Sequence, residues 1–108
     1  MGEIVNAFNT ADALGTSDAT AIAESIANEK ISAAEVVEAA ILLAERVNPA
    51  LNAIVLKTYE DARNYSKSVR KGAFYGVPAF IKDNDNLAGY PTQMGTGVFR
   101  AKPAKHNS

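Results

Sequence analysis

The chain has no cysteine, no tryptophan and a single histidine in 108 residues. Without cysteine there is no disulfide framework, no thiolate nucleophile and no zinc–cysteine site. That usage fits a reducing compartment, and a cytoplasmic location is expected. The lone histidine, His106, lies in a basic tail beside Pro103, with no second ligand nearby, so no metal centre is expected. No stretch approaches eighteen unbroken apolar residues, so no membrane span is expected. The start, Met1 to Phe8, lacks the basic end and long apolar core of a secretory signal. Internal repeats and low-complexity segments are absent too.

Charge of one sign is also lacking. The net charge is −1, but its distribution is uneven. Residues 1–50 carry eight acids and two bases, and residues 51–108 carry four acids and nine bases. Solvated helix faces of opposite sign account for this. A nucleic-acid surface needs clustered bases with interleaved aromatics. Lys67, Arg70 and Lys71 are too few, so no nucleic-acid partner is expected.

What is present is a globular composition, 47% hydrophobic, sufficient for one small core. Residues 1–16 show weak periodicity and read as an N-terminal arm. Phe8 and Leu14 could pin it, and a helical turn could form near Thr10–Leu14. Ser17 or Asp18 can cap a helix over about 19–29, with Ile22, Ala23 and Ile26 on one face. Ser32-Ala-Ala-Glu35 is a capping box. It opens a helix whose apolar stripe is Val36, Val37, Ala40, Ile41, Ala44 and Val47. Pro49 is expected to end that helix, because the residue before a proline avoids helical geometry. Joined by Glu29-Lys30-Ile31, the two helices form an αα-hairpin.

Ala53 to Leu56 is short and β-branched and reads as a strand. Thr58 opens a third helix, with Ala62, Tyr65 and Val69 on its buried side. Arg70 and Lys71 suit its negative end, and Gly72 suits a left-handed cap. A loop, 73–76, then leads to a second expected strand, Val77 to Ile81, buried and ending at Lys82. Ligands of open α/β sheets bind just beyond the carboxyl ends of strands. Two readings of Lys82 fit. It snorkels to water or pairs with Asp83 or Asp85, or burial lowers its pKa and makes it a neutral base. The run Asp83-Asn84-Asp85-Asn86 invites a calcium reading. A calcium loop starting at Asp83 would need oxygen ligands, glycine and glutamate where Leu87, Ala88 and Met94 stand, so calcium is rejected. Asp83 and Asn84 read instead as bonding nearby backbone amides below the lysine. No cofactor is implied.

Gly76-Val77-Pro78, Ile81-Lys82-Asp83-Asn84, Gly89-Tyr90-Pro91-Thr92 and Gly95-Thr96 together resemble the front half of the amidase signature family. The upstream helix opened by Ser32 and the segment Asn48 to Ala53 fit as well, so the resemblance runs from about Asp18 to Ser108. Asp85, Asn86 and Thr96 depart from the commoner family residues. The resemblance implies an α/β fold in which this chain supplies N-terminal helices and the first strands of a mixed sheet, incomplete here. Residues 17–108 would then be the N-terminal part of an amidase domain. It implies hydrolysis of a carboxamide by a nucleophilic serine, a second serine in a cis peptide, and a lysine. Lys82 matches that lysine, with Asp83 and Asn84 as possible supporting residues. The two serines belong to a Gly/Ser-rich stretch that does not occur in these residues. An amidase fragment, inactive alone, is therefore the leading expectation. Its partners would be a small-molecule amide and the remainder of the amidase chain, with a homo-oligomer possible. A non-catalytic helical module, or one subunit of a split amidase, is the alternative.

Overall fold

A computed structural model describes residues 12–68 and 72–108. Among them are three α-helices: α1 (Ala19–Ala27), α2 (Ala33–Leu51) and α3 (Tyr59–Ser66). None of these helices is long and apolar enough to cross a membrane. The chain divides into two compact units, Met1–Pro78 and Ala79–Ser108. The boundary falls inside the stretch that periodicity read as one strand.

In the first unit, local chemistry sets the helix starts. Asp18, not Ser17, caps α1, its carboxylate accepting from the Ala21 N–H at 2.9 Å. Glu29, at φ 57°, turns the chain out of α1, and the Lys30 N–H closes on the Ser25 carbonyl. Both halves of the α2 capping box form: Ser32 Oγ accepts from the Glu35 N–H, and Glu35 Oε2 accepts from the Ser32 N–H. Two otherwise unsatisfied amides are thereby paired.

Apolar residues at helical spacing then make the core. Ile22, Ile26 and Val36 form its centre, and Ala13, Leu14, Ile31, Tyr75 and Val77 pack against it. Leu14 thus pins the chain ahead of α1, whereas Phe8 and Thr10 lie outside the described residues. Instead of a helical turn, residues 12–14 form a bend in which Asp12 accepts from the N–H groups of Leu14 and Gly15.

Several expectations are corrected here. α2 continues through Pro49 to Leu51. A proline so near the end removes only one helical bond. Asn52, in the left-handed region, closes the last turn by donating to the Asn48 carbonyl. Ala53–Leu56 is not a strand. The Asn48 side chain takes the N–H groups of Ala53 and Ile54, at 2.9 Å each. Those amides wrap the helix end and are lost to any ladder. α3 ends at Ser66, so Gly72 is not its cap. Thr58 stands at the α3 N-cap without a side-chain cap bond. Tyr65 is exposed, Ala62 is half-buried, and Val69, Arg70 and Lys71 lie outside the described residues. A polar contact links α3 to α2, Arg63 Nε donating to Glu38 Oε1 at 2.6 Å, while Arg63 Nη1 donates to Glu60 one turn back within α3 at 2.7 Å.

The left-handed glycine at the foot of this unit is Gly76 (φ +79°). A Cβ there would lie 2.9 Å from both the Ala33 Cβ and the Ile26 Cδ1. Only glycine lets the backbone pass so close to the core.

The second unit has no helix and no named strand among its residues, and none of them is fully buried. Two isolated bridges, Ala88 with Ala104 and Pro91 with Pro103, lay the C-terminal segment beside 86–91. The Gly89 N–H donates to the Ala104 carbonyl at 2.8 Å, and the Ala104 N–H donates to Tyr90 at 2.9 Å. Asn86 and Ser108 exchange two hydrogen bonds, and the Asn107 side chain accepts from the Ala88 N–H.

Candidate functional site

Lys82 opens a β-turn, the Asp85 N–H donating to its carbonyl at 3.0 Å. The buried strand expected before it is not formed. Ala79, Phe80, Ile81 and Lys82 are exposed, Phe80 by 75% and Ile81 by 57%. A strand needs a second backbone to take its amides and neighbours to cover its faces. No described segment pairs with 77–82 as a strand; Val77 packs on the helical core, but Phe80 and Ile81 have nothing to bury against.

The polar run after Lys82 is ordered by backbone contacts. Asp83 is half-buried. One of its carboxylate oxygens accepts from the Gln93 N–H at 2.8 Å and the other from the Gly95 N–H at 2.9 Å. This is the backbone bonding expected of it. The two amides flank Met94, and Met94 and Gly95 both have positive φ, at 56° and 67°. Asp83 thus acts as an acceptor for a tight left-handed turn. Asn84 sits exposed in the β-turn. Asn86 Oδ1 accepts from the Thr92 hydroxyl at 2.6 Å, and that hydroxyl also reaches the Asp85 carbonyl.

Gln93 is the residue that sequence reasoning missed. Its side-chain nitrogen donates to the carbonyls of Thr96 and Phe99. Its side-chain oxygen accepts from the Ala101 N–H at 3.0 Å, and its own carbonyl accepts from Thr96. An amide carries donors and an acceptor together, so one side chain can close several turns. The available signal was a single glutamine in a segment crowded with glycine and lacking any periodicity.

Lys82, Asp83 and Asn84 therefore share one turn, and Asp83 ties it to 93–95. Among the described residues no three His, Asp or Glu side chains gather in a way that could hold a metal ion. His106 lies beside Lys102, Lys105 and Asn107 on an open depression, away from any acidic partner among its lining residues.

The family model described as Amidase matches residues 35–108, which is most of the chain and includes Lys82, Asp83 and Gln93. This chain belongs to the amidase family. A protein assigned the name amidase AmiC in Mycobacterium tuberculosis is 43% identical over 99 residues, covering 90% of this chain and 21% of that protein. The 6-aminohexanoate-cyclic-dimer hydrolase of Paenarthrobacter ureafaciens is 42% identical over 66 residues, covering 61% of this chain and 13% of the relative. An acylamidase of Rhodococcus erythropolis is 35% identical over 85 residues, covering 71% of this chain and 18% of the relative. The chain thus spans about a fifth or less of the length of the curated relatives it matches. No solved structure matches it.

Proposed function

We propose that this chain is the lysine-bearing part of an amide hydrolase, and that Lys82 is the base of a serine–cis-serine–lysine mechanism. The observation that carries this reading is the Lys82-Asp83-Asn84 element, followed by Gly89-x-Pro91-Thr92, inside the residues that match the amidase family. The turn geometry supports it. Lys82 stands at the mouth of a turn whose next residue is fixed by two charge-assisted hydrogen bonds.

In the proposed reaction a neutral Lys82 amine accepts a proton relayed through the bridging serine from the nucleophilic serine. The serine oxygen adds to the amide carbon, and the C–N bond breaks as the proton passes to the departing amine. Water then displaces the acyl group, giving the carboxylate and free enzyme. The lysine must be desolvated to be neutral, so the site is complete only when the segment carrying the serines covers it. That segment, on the same polypeptide or on a separate subunit, would pair with the apolar stretch Val77–Ile81 and build the mixed sheet of an α/β domain. These 108 residues alone would then hydrolyse nothing. The substrate is a small-molecule carboxamide, and the absence of cysteine is in keeping with a cytoplasmic enzyme.

The test is amide hydrolysis by an amidase-length enzyme carrying this sequence, with Lys82 changed to Arg. A guanidinium stays protonated and cannot take the proton. Turnover should fall by at least about a hundredfold, the lower bound of what general-base loss costs, with the protein still folded. Turnover within a few-fold of the parent would reduce Lys82 to a surface cation.

A further inference from the structure

Asp83 and Gln93 between them anchor nearly every polar link in residues 93–101. Asp83 takes the amides on both sides of Met94. Gln93, held by the first of those bonds, takes the Ala101 N–H and fills the carbonyls of Thr96 and Phe99. The chain from Asp83 to Ala101 is therefore one connected set of hydrogen bonds, beginning one residue after Lys82. None of it depends on apolar burial, because Met94, Val98 and Phe99 are exposed. We propose that Asp83 and Gln93 form a latch that fixes the 93–101 loop to the Lys82 turn, and that both are positioning residues for amide hydrolysis. This rests on the reading of Lys82 as the base.

The carboxylate is required by its charge and its two acceptors. An asparagine offers one acceptor oxygen and turns an N–H donor toward the second amide. That leaves one of the amides at 93 or 95 opposed to another donor, and the left-handed pair Met94-Gly95 loses its restraint. Gln93 is required by its length and its mixed donor and acceptor ends. Methionine has the same reach without either.

Two measurements test this. In the 108-residue chain, Asp83→Asn should speed amide exchange at Gln93 and Gly95. It should also do so at Ala101, which Asp83 does not touch. In an amidase-length enzyme, Asp83→Asn and Gln93→Met should each lower kcat by about 10- to 100-fold, the scale of a misplacement near 1 Å. KM should hold within about twofold, since only transition-state geometry is lost. The double variant should cost no more than the worse single one, because the two side chains act as a unit. Asp83→Glu, which keeps the charge, should recover part of kcat. Unprotected amides at Gln93, Gly95 and Ala101 in the parent chain, or an Ala101 amide indifferent to Asp83→Asn, would overturn the latch. Coupled exchange with unchanged kcat, or additive losses in the double variant, would overturn its positioning role. Retained turnover in Lys82→Arg would sink the base reading alone, and the exchange at Ala101 would still decide the latch.

Discussion

Single residues carry most of the non-local information in this chain, and they differ in how openly they show it. Asp83 is legible, because a carboxylate among turn residues seeks backbone amides. Gln93 is not, because its partners lie three to eight residues ahead in a segment with no period. Gly76 is intermediate. The sequence shows a glycine before Val77-Pro78 but not the Ile26 and Ala33 side chains beneath it. Gly76→Ala combines left-handed strain of roughly 1–2 kcal/mol with overpacking of roughly 1–3 kcal/mol. Both act on α1 and the start of α2. A denaturant melt followed by helical circular dichroism should show a loss of several kcal/mol at most, with the slope unchanged. A midpoint equal to that of the parent would mean that residues 72–77 do not pack on the core in solution.

At the scale of elements, the helices were legible and the strands were not. A helix closes its hydrogen bonds within a few residues and announces itself by caps and a 3.6-residue stripe. The α2 start at Ser32 and the α1 cap at Asp18 are of this kind. A strand takes its hydrogen bonds from elsewhere, so β-branched residues at 53–56 and 77–81 record only a preference. At 53–54 the Asn48 side chain outcompetes it. Ser32→Ala should cost about 0.5–2 kcal/mol, read as a lowered midpoint in a helical melt. No change would mean that the box contributes nothing beyond solvent. The link between α2 and α3 should respond to pH. Hydrogen bonding from Arg63 lowers the Glu38 pKa below its ordinary 4.5. A carboxyl depressed in the folded state contributes stability above its unfolded pKa and loses it as pH falls through the folded value. Both partners are exposed, so the effect is small and screened by salt. Amide shifts of α3 should therefore move toward coil values below about pH 4.5 and do so less in high salt. An α3 whose shifts are flat down to pH 3 would show that Arg63 and Glu38 do not hold it.

For the molecule as a whole, the two units rest on different forces. Every buried apolar residue, from Ile22 to Ala44, belongs to Met1–Pro78. Each such side chain of Val or Ile size contributes roughly 1.5–3 kcal/mol when fully withdrawn from water. Ala79–Ser108 instead relies on turns, two bridges and side-chain caps. Each hydrogen bond there is worth about 0.5–1.5 kcal/mol net, and each holds only while its neighbours do. Opening should therefore start in the second unit and leave the helices intact. Native-state hydrogen exchange reads this directly. The amides of Gly89 and Ala104, bonded at 2.8 and 2.9 Å, should exchange through low-energy local openings nearly independent of denaturant. The amide of Val36, whose residue is 0% exposed, should exchange only through a larger opening that denaturant promotes. Equal protection at the three sites, with equal denaturant dependence, would show one cooperative unit. In that case the exposed Phe80, Ile81 and Val98 would have to find cover in solution, and self-association of the chain is where to look for it.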